Sequence, residues 1–175
     1  EKNIKLVLST GGTSGIGYEL ARLCSRDGYN IIIVARDDQE LRDTSTQLKD
    51  DFGAEVFSIS KDLFEPESPF ELYEEVTSRG LQPDVLVNNA WQGLFGLFVD
   101  TDIRKELSII QLNIYSMVVL KKLFLNDMVQ RGEDKILNLS SVPSKIPGPY
   151  QSVYHETKTF SQSFTATIHN AKKTH

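Results

Sequence analysis

The chain is 175 residues long, 39% hydrophobic and 25% charged, with 19 Lys and Arg against 24 Asp and Glu for a net charge of −5. That is the balance of a globular chain long enough for one domain with a real core, and its acidic charge argues against a general binder of nucleic acid or anionic membrane. The single cysteine, Cys24, rules out an intrachain disulfide framework or a cysteine-based metal cluster; it reads as a small apolar residue on a helix, and no metal site is expected.

Residues 4–9 read as a strand, followed by a glycine-rich turn and a helix over about 15–26 that Gly28 stops. Residues 30–35 form a β-branched run suited to burial on both faces. Asp37 and Asp38 can cap a helix that carries Leu41 and Leu48 and ends near Gly53. A third strand is expected over 56–60, a helix over 68–79 and a fourth strand over 84–88. A long helix over about 102–131, a fifth strand over 135–140 and a last helix from near Ser152 complete the order. Its most apolar tract, 109–125, is interrupted by Gln111, Asn113, Ser116, Lys121 and Lys122, short of the ~18 apolar residues of a membrane span. No signal peptide is visible, so a cytoplasmic location is expected unless an N-terminal anchor has been removed.

Strands that alternate with helices and read as continuous apolar runs imply right-handed βαβ units. The expected fold is α/β: a doubly wound parallel sheet with helices on both faces, a Rossmann-like domain over residues 1–175.

Gly11, Gly15 and Gly17 lie between the first strand and its helix in a G-x-x-x-G-x-G spacing. Glycines let a backbone approach a pyrophosphate, and the helix N-terminus offers free N–H groups and a positive dipole end. A tight turn alone would also use glycine, but the position in a βαβ unit favours a dinucleotide held by Gly11, Thr13, Ser14, Gly15, Ile16 and Gly17. No Lys follows the last glycine, so the turn is not an NTPase phosphate loop. Strand two ends in Ala35 and Arg36, a guanidinium where NAD sites usually place a carboxylate. That favours NADP(H) over NAD(H), although Asp37 and Asp38 weaken the local field.

Tyr154 and Lys158 are one helical turn apart, so an ammonium can favour the phenolate on the same helix face. Ser141, thirteen residues earlier, follows strand five, where open α/β sheets bind ligands. Its hydroxyl can hold a substrate carbonyl oxygen.

Together, Thr10-Gly-x-x-x-Gly15-Ile16-Gly17, Asp62-Leu63, Asn88-Asn89-Ala90, Asn113, Ser141 and Tyr154-x-x-x-Lys158 resemble the short-chain dehydrogenase/reductases, over nearly the whole chain. The resemblance implies an NADP(H)-dependent oxidoreductase that interconverts a carbonyl and a secondary alcohol on a small-molecule substrate. By that likeness Tyr154 is the general acid/base, Lys158 assists it and bonds the nicotinamide ribose, and Ser141 polarises the carbonyl. Asn113 holds a water linking Lys158 to solvent. Asp62 contacts the adenine with Leu63 beside it, and Asn88, Asn89 and Ala90 line the cofactor. A homodimer or homotetramer, packed through the long apolar helix, is also implied.

Two departures stand out. Trp91 occupies the position where the family continues Asn-Asn-Ala with glycine, which would be strained if the backbone there needs positive φ. The indole would then crowd the nicotinamide, or else turn outward as a wall of the substrate cleft. The letters also stop near the end of the Tyr-bearing helix, so the last strands and the substrate lid are expected to be missing, leaving strand five as an edge. These departures motivate a second reading, a dinucleotide-binding regulatory or interaction protein without turnover.

Overall fold

The structure is a computed structural model that describes residues 4–132, 135–138 and 152–171. Its elements follow in the order β1 (Leu6–Thr10), α1 (Gly15–Arg26), β2 (Asn30–Ala35), α2 (Asp38–Phe52), β3 (Val56–Ser60), α3 (Ser68–Ser78) and β4 (Val85–Asn88). Then come α4 (Ile103–Ile110), a π-helical turn (Gln111–Ser116), α5 (Met117–Gln130), β5 (Lys135–Asn138) and α6 (Ser152–Ala171).

The five strands form one parallel sheet in the order β3-β2-β1-β4-β5. In β1 and its neighbours, alternate residues feed two separate cores, because successive side chains leave opposite faces of a strand. Leu6, Leu8, Ile32, Val34 and Leu86 point to one face, where α3 and α5 pack through Leu72, Val76, Leu120 and Phe124. Val7, Ile31, Ile33 and Val87 point to the other, against Ala21 of α1 and Leu41 and Leu48 of α2. Both faces are therefore apolar, and the strands read as unbroken hydrophobic runs rather than alternating ones. Cys24 packs at the margin of the second core, where burial raises its thiol pKa.

Capping residues fix where helices begin. The Asp37 carboxylate accepts from the N–H groups of Gln39 and Glu40, and Asp102 does the same for Arg104 and Lys105 at the start of α4. On the α3–α5 face, Tyr73 packs edge-on against Phe124 and donates its hydroxyl hydrogen to Asp127 at 2.8 Å.

The first strand begins two residues later than the expected 4–9 and ends one residue later. Ile4 is exposed, while Thr10 still pairs with Val34 and Asn88. The larger correction concerns the long helix expected over 102–131. It is broken by the π-helical turn, inside which Ser116 Oγ lies 3.1 Å from the Gln111 carbonyl and 2.7 Å from that of Leu63. One hydroxyl thereby ties the widened turn to the segment after β3. The stretch Ile103–Gln130 is long and apolar enough to cross a membrane, with a mean hydropathy of 1.3 in its most apolar window, but its residues Leu112, Leu120, Phe124 and Met128 belong to the first core.

Among the described residues, β5 has no neighbour on its outer side. It is tied inward by side chains instead. Asn88 Nδ2 donates to Asn138 Oδ1, and Asn138 Nδ2 donates to Thr165 Oγ1 on α6, both at 2.8 Å. Lys121 of α5, buried, reaches the same Thr165 hydroxyl at 3.3 Å and lies over the Phe164 ring.

Candidate active site

The chain reverses direction across the sheet between β1 and β4, and ligands of open α/β sheets bind outside the carboxyl ends of strands at such a point. A cleft of about 840 Å³ opens there. Its walls come from the turn after β1, the exits of β2 and β4, and the segment after β3.

The glycine-rich turn forms one end. Gly11 has φ +66° and donates its N–H to the Val34 carbonyl at 2.8 Å; a Cβ there would press on Ala90 and Asn89 at 3.1 Å. Gly17 sits behind the turn, where any Cβ would overlap the Gly11 carbonyl and the Asn89 amide. It therefore allows α1 to approach β4, and it does not line the cleft. Gly11, Thr13, Ser14, Gly15 and Ile16 do line it. Ser14 is the N-cap of α1 without a side-chain bond of its own, and Thr13 donates its hydroxyl hydrogen to Glu40 at 2.9 Å.

The exit of β4 is held by β1. Thr10 Oγ1 accepts from the N–H groups of Asn89 and Ala90 at 3.1 Å, and Asn89 Nδ2 donates to the Gly11 carbonyl at 2.8 Å. Asn89 Oδ1 is buried and has no hydrogen-bond partner among the described residues. This acceptor, the close-approach glycines and the α1 N-terminus suit a polar, anionic dinucleotide. Asn88 departs from expectation: its amide turns to Asn138 on β5 rather than into the cleft.

Arg36 stands exposed on the rim, its guanidinium 5.2 Å from the centre of the Phe64 ring. Asp62 lines the cleft and accepts the Phe64 N–H, while Leu63 is buried beside it. Sequence reasoning missed Phe64, Glu40 and Lys61, which also face this end. Glu40 reads as an ordinary acid in a helix's first turn, and Lys61 is paired with Glu71 and Glu75 at 3.1 and 3.5 Å.

At the far end the cleft meets α6 through Trp91 and Gln92. The Trp91 ring lies 5.4 Å from that of Tyr154, and the Lys158 ammonium is 5.0 Å from the Trp91 ring centre and 6.0 Å from that of Tyr154. Gly93 packs against the Tyr154 ring at a distance its missing Cβ would make an ordinary 3.5 Å contact. Tyr154 and Lys158 are both buried, and burial pushes the Lys158 ammonium down to about 8. The strain feared at Trp91 does not arise: every described residue with positive φ is glycine.

Asn113 sits in the π-helical turn, and its amide is taken up by protein. It accepts the Gln92 N–H at 3.0 Å and donates to the Gln92 carbonyl at 2.9 Å and to Thr157 Oγ1 at 3.0 Å. The amide thus clamps the β4 exit to α6, one residue before Lys158. Gln92, half of that clamp, carries no sequence signal because it is held through its backbone. Ser141 lies outside the described residues. Among the described residues, no group of three or more His, Cys, Asp or Glu is placed to hold a metal.

Comparison with known proteins agrees with this architecture. The family model for short chain dehydrogenase matches residues 5–175. The very-long-chain 3-oxoacyl-CoA reductase of Rattus norvegicus is 32% identical over 173 residues, covering 94% of this chain and 53% of the relative. The dehydrogenase/reductase SDR family member 7B of Mus musculus is 29% identical over 162 residues, covering 91% and 50%. Among solved structures, a short-chain dehydrogenase from Sphingobium yanoikuyae in complex with NADPH superimposes with a TM-score of 0.89 at 28% identity, over 94% of this chain and 64% of that one. L-sorbose reductase from Gluconobacter frateurii, complexed with NADPH and L-sorbose, gives 0.89 at 29% identity, over 94% and 63%. The chain spans about half the length of the curated relatives it matches.

Proposed function

Because this chain belongs to the short chain dehydrogenase family, we propose that it serves an NADP(H)-dependent oxidoreductase that interconverts a carbonyl and a secondary alcohol. The observation that carries this reading is the meeting of Tyr154 and Lys158 with Trp91 at the end of the cleft that begins in the glycine-rich turn.

The turn from Gly11 to Ile16 and the N-terminus of α1 receive the pyrophosphate, and Arg36 receives the 2′-phosphate. Asp62 and Leu63 border the adenine, and Asn89 and Ala90 hold the nicotinamide half. When bound, the cofactor supplies the hydride. Tyr154 gives its phenolic proton to the carbonyl oxygen as charge develops there, and Ser141 orients that oxygen. Lys158 holds a positive charge beside the phenol and replaces the proton's lost stabilisation. Asn113 keeps the β4 exit and α6 in register.

An apolar carbonyl compound is the proposed substrate class. Phe95, Leu97, Phe98 and Val99 follow the cleft-lining Trp91 and Gln92 in the chain and leave large apolar surface exposed, with Val99 86% and Phe95 73% accessible. Relatives named for 3-oxoacyl-CoA and a solved alcohol dehydrogenase named for bulky-bulky ketones place thioesters and hindered ketones first on a substrate panel. The exposed stripe Ile103, Leu107 and Ile110 on α4 is the surface for a twofold mate. A cytoplasmic location belongs to the same proposal; the core placement of apolar residues of the α4–α5 stretch accounts for its hydropathy without a membrane.

The test is NADPH oxidation by the purified protein against that panel, beside Tyr154→Phe. Turnover lost in the variant with NADPH affinity kept is the expected result. Equal turnover in Tyr154→Phe removes Tyr154 from the chemistry. NADPH binding without turnover on any substrate favours the silent dinucleotide-binding reading.

A further inference from the structure

We infer that Trp91 is a positioning residue: its indole face receives the Lys158 ammonium and its flank abuts the Tyr154 ring, so one side chain sets both members of the proton-transfer pair. The inference rests on the roles proposed above for Tyr154 and Lys158, and it concerns a position where the family pattern has glycine.

Three observations carry it. The first is distance: the ammonium lies 5.0 Å from the Trp91 ring centre, within the ~6 Å over which a ring quadrupole attracts a cation, and tryptophan is the strongest such ring. The second is burial. Lys158 is only 5% exposed, and an ammonium withdrawn from water needs compensation, to which the faces of Trp91 and Tyr154 contribute.

The third is that the indole is anchored on both sides. The preceding N–H, of Ala90, is bound to Thr10 Oγ1, and the following residue, Gln92, is bound through both backbone groups to Asn113. A surface tryptophan would have no such mooring. Trp91 is nonetheless 46% exposed and lines the cleft, so its free face meets whatever enters at that end.

Other ionisable groups on the surrounding elements are Tyr154, His155 and Glu156 on α6 itself, and Arg104, Lys105 and Glu106 on α4. Tyr115 of the π-helical turn, Lys121, Lys122 and Asp127 of α5 and Lys135 of β5 complete the set among the described side chains. Glu106 is bound by Thr101, Lys121 by Thr165 and Asp127 by Tyr73, and Arg104, Lys105, Tyr115, Lys122 and Lys135 are exposed. His155 is in ring contact with Tyr154, which makes it the main competitor for any titration seen at Trp91.

Trp91 is the only tryptophan in the chain, so tryptophan fluorescence reports the surroundings of this residue, and the variants separate Lys158 from the other groups near it. In cofactor-free protein the emission should titrate with a midpoint near pH 8, following the Lys158 ammonium. Lys158→Met should abolish the transition. Lys158→Arg, which keeps a cation at all these pH values, should hold the emission at its low-pH level. Tyr154→Phe and His155→Gln should both retain the transition.

A flat wild-type emission overturns the inference, and so does a transition that survives in both Lys158 variants or disappears in His155→Gln. These readouts need no turnover. A Trp91 signal that fails while NADPH oxidation persists removes only the role of Trp91; a signal that holds while no carbonyl is reduced removes only the proposed activity.

Discussion

The guanidinium of Arg36 lies over the ring of Phe64, 5.2 Å from its centre, and joins the exit of β2 to the segment that follows β3. The stack holds an exposed cation in one orientation at the rim of the cleft, which a free side chain would not maintain. Replacing Arg36 by Glu is expected to weaken NADPH binding by about ten- to a hundred-fold, the worth of one charge-assisted bond, and to spare NADH. Parallel calorimetric titrations decide it. Equal losses for both cofactors would show that Arg36 does not read the 2′-phosphate.

Glu40 acts in the opposite sense. Its carboxylate accepts the Thr13 hydroxyl hydrogen and lines the cleft beside the turn proposed to receive the pyrophosphate. Because the pair is exposed, the repulsion is screened, and Glu40→Gln should tighten NADPH by only about two- to five-fold. The gain should shrink as salt is raised. A salt-independent change would point to altered loop structure instead.

Gly17→Ala tests the closest backbone approach. The new Cβ would overlap the Gly11 carbonyl and the Asn89 amide, both backed by hydrogen bonds, so α1 must move outward. A loss of about 1–3 kcal/mol is expected from overpacking, read as a lower urea midpoint with unchanged m-value. NADPH affinity should fall with it, since the same shift misaligns the α1 N-terminus. An alanine variant as stable as wild type would contradict the packing described for this turn.

Lys158 makes folding stability depend on pH. Its ammonium titrates near 8 in the folded chain against an ordinary 10.5, so between these values the unfolded chain holds a proton that the folded chain has released. Raising the pH across that window therefore favours the folded state, and the penalty is full below about 8. Urea midpoints of cofactor-free protein should rise from pH 8 toward 10.5 relative to those of Lys158→Met. Parallel pH curves for the two proteins would remove burial as the cause.

Much of this architecture could be read from the letters because buried parallel strands leave a plain signature. Residues 31–34 are all but inaccessible, and a short β-branched run between turn residues is most readily buried as a central strand. The glycine turn was legible for a related reason, since Gly11 and Gly17 stand where a Cβ has no room. The π-helical turn was not legible. An inserted residue rotates the apolar stripe, but the tract 109–125 is apolar on more than one face and hides the rotation, and the Ser116 bond to the Leu63 carbonyl that accompanies the turn is tertiary. The use of Asn113 was hidden likewise, because its partner at Gln92 is backbone. Trp91 announced itself only as an oddity, and its meaning depended on where α6 would place Lys158.

The amides of Asn88 and Asn138 and the hydroxyl of Thr165 form a keyed joint between β4, β5 and α6. A slip of β5 by one residue would carry Asn138 to the opposite face and undo both bonds at once. Apolar packing would tolerate such an offset better than this polar alignment does. Strand β5 thus works as an indexing pin for α6 at Thr165, and with the Asn113 clamp at Thr157 it fixes the helix that carries Tyr154 and Lys158 at two points.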